Sequence, residues 1–214
     1  MDKLEAQLIK LGYDYEELAR RVYLIPDFLS DKNVEDVLKV INQATEEDWT
    51  THYMQGVRDL AERKYGRSDI DNLVQEGLVE ITTHWVDKNL GLPNEISEPL
   101  AARIQQIMLF DNTLLFEGIG TIQRQYEGET LIEHVDNHAD PAIEYAVILY
   151  INDDYTDGEL HFAKLGLEVV PPAKSLIIFP SGEEYLHGVK PPGAGPLRYV
   201  LPSFVRKRDA DSRP

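Results

Sequence analysis

The sequence predicts an α+β fold: a mainly helical first part, residues 1–112, and a small barrel or two-sheet jelly roll over residues 113–206. Two observations predict it. Apolar residues in the first part recur at helical spacing, and from about residue 113 the period shortens towards two. Turn signals such as Asp-Asp-Tyr-Thr-Asp-Gly, Pro171-Pro172 and Pro191-Pro192-Gly193-Ala194-Gly195-Pro196 cut the second part into short runs, the signature of many short strands. A chain of 214 residues is long enough for one domain with a full core, so residues 1–206 read as a single domain. Residues 207–214 read as a charged, disordered tail, and no internal repeat is present.

In chain order, IPDFLSDKNVEDVLKVINQATEEDW predicts a short strand ending near Phe28. A helix follows, capped by Ser30, with Asp31 in its first turn and Val34, Val37, Leu38 and Ile41 as its buried stripe. The polar stretch 62–71 reads as a mobile loop. A second helix is expected at about 70–90, from Ile70, Leu73, Val74, Leu78 and Ile81. A third spans 97–110, with Leu100, Ile104, Ile107 and Met108. The expected strands are Leu115–Tyr126, Leu131–Asp136, Tyr145–Ile151, Glu159–Phe162, Glu168–Val170, Ser175–Phe179, His187–Val189 and Arg198–Val205.

The chemistry-bearing pattern is His134-x-Asp136, followed 51 residues later by His187 and eleven beyond that by Arg198. With six His and 18 Asp in the chain, about half of one His-x-Asp pair is expected by chance, so the local sequence decides. On a strand over 131–136, residues i and i+2 share a face and can offer two ligands to one ion. His187 follows the β-rich run Ser175–Phe179 and a turn, and can supply a third ligand from another strand. Two histidines and a carboxylate that leave coordination positions open suit a non-haem ferrous ion, and open positions on Fe(II) mean oxygen chemistry.

Composition removes several classes. A net charge of −17 makes a broad phosphate-binding face untenable, so no nucleic-acid partner is expected. An acidic surface favours solubility and, secondarily, a basic partner. No apolar run approaches the length of a membrane span, and MDKLEAQLIKLGYDYEEL has no apolar core of a secretory signal. The absence of cysteine rules out disulfides and thiolate metal sites, and fits a cytoplasmic protein.

Four blocks, RQYEGETLIEHVDN, VILYINDDYTDGELHF, VVPPAKSLIIFPS and LHGVKPPGAGPLRYVLPSFVR, occur in an order that resembles the prolyl 4-hydroxylase-like family of 2-oxoglutarate- and Fe(II)-dependent oxygenases. The likeness is dense from Gln123 to Arg206 and weaker before it. It implies a double-stranded β-helix (jelly roll) core with N-terminal helices packed against one sheet. By resemblance, His134, Asp136 and His187 would bind Fe(II), and Arg198 would pair with the distal carboxylate of 2-oxoglutarate. Tyr150 would assist at that carboxylate, and Tyr126 would lie near the iron and the cosubstrate. No catalytic residue is expected beyond the metal site.

Fe(II), 2-oxoglutarate and O2 are the implied cofactors, with ascorbate a candidate addition. The implied reaction is hydroxylation of proline at the 4-position in a peptide or protein, with decarboxylation of 2-oxoglutarate to succinate and CO2. Four departures from the family pattern are visible, one being that Arg198, as in bacterial and oxygen-sensing relatives, stands where collagen-type enzymes have lysine. Asp157-Gly158 replaces Gly-Gly, the His187–Arg198 interval is one residue longer than in collagen-type enzymes, and Phe204 stands where many members have Trp. Alternatives remain open: hydroxylation of a free amino acid or small metabolite, a catalytically silent β-helix binding module, or a cupin-like metalloprotein that needs no Arg198. His52, His84, His138 and His161 carry no assigned role, and Trp49 and Trp85 read as core or rim aromatics.

Overall fold

The computed structural model describes residues 2–53, 61–78 and 86–208. Helix α1 (Lys3–Leu11) starts on Asp2, whose carboxylate accepts from the Glu5 amide, and ends on Gly12 in the left-handed region at φ +75°. The hairpin of β1 (Glu16–Ala19) and β2 (Val22–Ile25) follows. Helix α2 (Asp31–Gln43) has the expected Ser30 cap, reinforced by the Asn33 side chain in a reciprocal capping box. Val37 and Ile41 are its most deeply buried residues, with Val34 and Leu38 packed at the margin.

The expected second helix is shorter than the sequence indicates. Helix α3 covers Ile70–Gln75 and gives way to Gly77 at φ +72°. Residues 86–90 are strand rather than helix, and residues 79–85, with His84 and Trp85, lie outside the described residues. The strand state is imposed by pairing. Strand β4 (Val86–Gly91) is held between β3 (Thr50–Tyr53) and β6 (Thr121–Gln125), and such tertiary pairing overrides a helical spacing of apolar residues. The stretch 62–71 is structured at both ends: Arg67 bridges Asp69 and Glu76, while Ala61, Ile70 and Leu73 form a small buried cluster.

Helix α4 (Asn94–Met108) begins three residues before the expected start, and Leu100, Ile104, Ile107 and Met108 are almost fully buried. The expected long strand 115–126 is two: β5 (Leu114–Phe116) and β6, divided at Gly118, whose φ of +103° is open to glycine. Strands β7 (Leu131–His134), β8 (Ile143–Tyr150), β9 (Leu160–Phe162), β10 (Leu167–Val169), β11 (Leu176–Pro180), β12 (His187–Val189) and β13 (Arg198–Lys207) complete the core close to the expected positions. Beyond β13 the Arg208 amide donates to the Thr113 carbonyl, and residues 209–214 lie outside the described residues.

The strands form a nine-stranded sheet in the order β1-β2-β11-β8-β13-β6-β4-β3, with β5 paired to β13, and a four-stranded sheet in the order β10-β9-β12-β7. Pairing is antiparallel throughout, so the architecture is the double-stranded β-helix with helices on one face of the larger sheet. Period-two alternation separates two cores. Val147, Leu149, Leu176, Ile178, Leu201 and Val205 meet α1, α2 and α4, whereas Ala146, Tyr150, Ile177, Phe179 and Val200 meet Leu160, Phe162 and Val189 of the smaller sheet. Among the described residues no helix is long and apolar enough to cross a membrane.

Candidate active site

Strands β7 and β12 are neighbours, and their register puts His134 directly opposite His187. Between that pair and the next, Val189 opposite Leu131, β7 carries one residue more than β12. This bulge re-aims the end of β7, a usual place for one beside a site. The strand then ends: Val135 is extended, and Asp136 opens the short helical turn Asp136–Ala139. The expected strand over 131–136 is therefore replaced by a bulged strand and a turn, which still bring the two side chains together. One ligand atom from each of His134, Asp136 and His187 lies within 4.8 Å of the others, the only such group of three among the described residues. His134 Nε2 stands 3.4 Å from Asp136 Oδ1, and His187 Nε2 stands 3.9 Å from Asp136 Oδ2.

Both imidazoles are oriented the same way by the chain itself. His134 Nδ1 bonds the carbonyl of Ile132 at 2.8 Å, and His187 Nδ1 bonds the carbonyl of Tyr185 at 3.0 Å. A carbonyl only accepts, so Nδ1 carries the proton and Nε2 presents its lone pair inward. His187 is buried against Phe162 and Phe179, with ring centroids 5.6 and 4.8 Å away. Burial pushes its pKa down to about 4, against the opposing pull of Asp136, so the ring is neutral at physiological pH. Asp136 is buried as well, and its Oδ2 has no hydrogen-bond partner. Two inward-facing imidazole Nε2 atoms and one orphaned carboxylate oxygen converging on a point fit a divalent metal ion.

The three side chains open into a cavity of about 270 Å³ between the sheets. Its far wall belongs to the larger sheet and includes Arg198, which is 3% exposed. The guanidinium donates to Gln125 Oε1 at 3.2 Å and to the Tyr150 hydroxyl at 3.3 Å, and its Nε has no partner. Both partners are neutral, and among the described residues no carboxylate pairs with Arg198. Such a buried, uncompensated cation is costly unless a ligand anion completes it. Tyr150 is fully buried, and its pKa is pushed up to about 12 by desolvation, so it stays a neutral phenol. A larger, more open hollow of about 730 Å³ runs along α2 past Val34, Leu38 and Lys174, and holds no metal-binding group.

Thus the structure brings together five of the six residues singled out from sequence. Tyr150 does not itself line the cavity and joins the group through its bond to Arg198, whereas the sixth, Tyr126, neither lines the cavity nor bonds Arg198. Its hydroxyl lies 3.5 Å from Glu46 Oε2, and its ring lies beside Arg124, whose guanidinium also covers Trp49 and pairs with Glu46. Gln125, Gln123 and Asn89 are site residues the sequence reading missed. The available signal was period-two alternation in β6, where Thr121, Gln123 and Gln125 share one face and Ile122 and Arg124 the other.

Residues 121–206 match the family model described as the 2OG-Fe(II) oxygenase superfamily, over the same stretch that carries the four sequence blocks. Members of that superfamily use Fe(II), 2-oxoglutarate and O2. Among solved structures, a prolyl hydroxylase from Trichoplax adhaerens, in complex with a hypoxia inducible factor peptide fragment, is 15% identical with a TM-score of 0.67; the alignment covers 96% of this chain and 90% of that one. A viral collagen prolyl hydroxylase from Paramecium Bursaria Chlorella virus-1, in a 2-oxoglutarate complex, is 16% identical with a TM-score of 0.54, covering 89% and 97%. A prolyl-4-hydroxylase from Pseudomonas putida is 24% identical with a TM-score of 0.51, covering 81% and 100%. At these identities the likeness is one of fold. No curated protein matches the chain.

Proposed function

We propose, on the premise that residues 121–206 carry a 2OG-Fe(II) oxygenase domain, that the chain hydroxylates proline at the 4-position in a peptide or protein. 2-Oxoglutarate would be consumed to succinate and CO2, and residues 1–206 would act as one domain. Fe(II), when bound with 2-oxoglutarate and O2, supplies the oxidation of a substrate C–H bond to C–OH.

His134, Asp136 and His187 would hold the metal, since their Nε2 atoms and the unpartnered Oδ2 converge. Arg198 would take the distal carboxylate of 2-oxoglutarate, offering its guanidinium edge from a wall already braced by Gln125 and Tyr150. Tyr150 would fix the guanidinium and donate its hydroxyl proton to the same carboxylate. Leu131, Ile148, Leu160 and Val189 line the space between and would limit water at the reacting centre when the site is filled. Tyr126 would brace Arg124 behind β6 rather than touch the cosubstrate.

The observation that carries this reading is Arg198: a buried cation facing the metal-binding group across one cavity, with no anionic partner of its own among the described residues. A cupin-like metal site has no use for that charge. The test is succinate release from 2-oxoglutarate with Fe(II) and ascorbate, together with mass spectrometry of proline-containing peptides. Succinate formation and a gain of one oxygen on the peptide are expected. Absence of 2-oxoglutarate turnover across a broad peptide panel would sink the proposal.

A further inference from the structure

We infer that the side-chain amides of Asn89 and Gln123 are the recognition groups for the main-chain amides of a peptide substrate. The inference rests on the reading of the cavity as an oxygenase site and adds to it the residues that select the substrate. Register places Asn89 opposite Gln123, Gln123 opposite Val200, and Val200 opposite Tyr150. These residues form one transverse row across the larger sheet, and Asn89, Gln123 and Val200 line the same cavity as the metal-binding group. The polar face of β6 is accounted for at only one of its two glutamines. Gln125 accepts from Arg198 and donates to the Glu129 carbonyl. Gln123 and Asn89 are half-buried, and among the described residues neither amide has a hydrogen-bond partner.

Two adjacent unpartnered amides, on a wall that also carries apolar Ala146, Ile148, Val200 and Phe204 and the hydroxyls of Thr121 and Ser203, lose hydration when the cavity fills. A ligand that restores both a donor and an acceptor to each would recover that loss. The peptide group has this character: its carbonyl accepts from a side-chain NH2, and its N–H donates to a side-chain carbonyl. A free amino acid needs more, because its carboxylate and ammonium both seek counter-charges. Among the described lining residues the only Lys or Arg is Arg198 and the only Asp or Glu is Asp136. Both are committed to the cosubstrate and the metal in the proposed reading. A proline within a chain is neutral on both sides and leaves that balance undisturbed.

The test uses the full chain loaded with Zn(II) and 2-oxoglutarate, to hold the site without turnover, and a panel of N-acetylated, C-amidated, proline-centred pentapeptides. Near-isosteric Asn89→Leu and Gln123→Met are expected to weaken peptide binding by about 5- to 10-fold each, with 2-oxoglutarate affinity held at the wild-type value. N-methylation of the peptide bond following proline should weaken binding to the wild type and have little further effect on one of the two variants.

Peptide affinities in both variants equal to wild type would overturn the assignment while leaving the oxygenase reading in place. A parallel loss of 2-oxoglutarate affinity would show the amides to be structural and overturn it too. Wild-type protein that binds free L-proline and none of the peptides would instead remove the peptide reading itself.

Discussion

The two faces of strand β13 differ in what they are built to do. Leu201 and Val205 point towards the helices into a wall of aliphatic side chains, while Arg198, Val200 and Phe204 point towards the smaller sheet. On the helical side, burial is matched by contact. On the cavity side, the Arg198 cation has no counter-charge among the described residues and, across the gap, Asp136 Oδ2 has no hydrogen bond. One strand therefore carries a face that stabilises the fold and a face held at the expense of stability, and substitutions on the two should have opposite signatures.

The largest contrast is expected at the metal-binding group. His187→Ala should abolish Fe(II) binding, measured by metal content after dialysis, together with all succinate formation. The ring packs against Phe162 and Phe179, so the same change should also lower the melting temperature of metal-free protein by the packing lost with the ring, and the near-isosteric His187→Phe should lower it less. A sharp loss of fold would break the comparison.

Next comes Arg198→Met, which removes a cation from a buried wall. The 2-oxoglutarate dissociation constant should rise by roughly 30-fold or more, since losing one partner of a buried charge pair costs about 2–5 kcal/mol. Stability should be unchanged or increased, as denaturant unfolding would read. On the opposite face, Leu201→Ala should cost about 2–5 kcal/mol of stability and leave 2-oxoglutarate affinity intact in the folded fraction.

Acid should expose the cavity face specifically. The folded-state pKa of His187 lies below its ordinary value of 6.5, so between about pH 6.5 and 4 the unfolded chain binds the proton that the folded chain refuses. Stability of the metal-free protein therefore falls as pH drops through that window, by roughly 3 kcal/mol at full extent. His187→Phe should flatten this part of the profile. The smallest effect is expected far from both faces: Ser30→Ala, which removes the α2 cap, should cost about 1 kcal/mol and leave cosubstrate binding untouched.

The centre of the β-rich part was legible because its middle strands, β8, β11 and β12, are buried on both faces, so β-branched and apolar runs such as Ser175–Phe179 have few other uses. The capped stripe of α2 was legible for the corresponding helical reason. Strand β4 was not, because Val86–Gly91 is polar apart from Val86 and Leu90, and it owes its state to pairing with β6. Likewise the bulge in β7 and the turn at Asp136 answer to tertiary packing; the ligands were found although the local geometry assumed for them was not. Arg124 illustrates the same limit. It is a charged residue in a strand whose 6% exposure depends on Glu46 and Trp49, both distant in sequence.

The site is split between two sheets. The candidate metal ligands follow the smaller one, through β7 and β12, and Arg198 and Tyr150 belong to the larger one. The spacing between them is set by Phe162, Phe179, Leu160 and Val189, which pack in the gap. Stacked sheets lie about 10 Å apart, and aromatic rings in van der Waals contact resist compression and stretching. In the proposed reading this gap works as a caliper for the dicarboxylic acid, gripping its keto-acid end on one jaw and its distal carboxylate on the other. Keto diacids one carbon shorter or longer should fail to bridge the jaws. Trimming a ring, as in Phe179→Leu, is the change that should relax the discrimination between them.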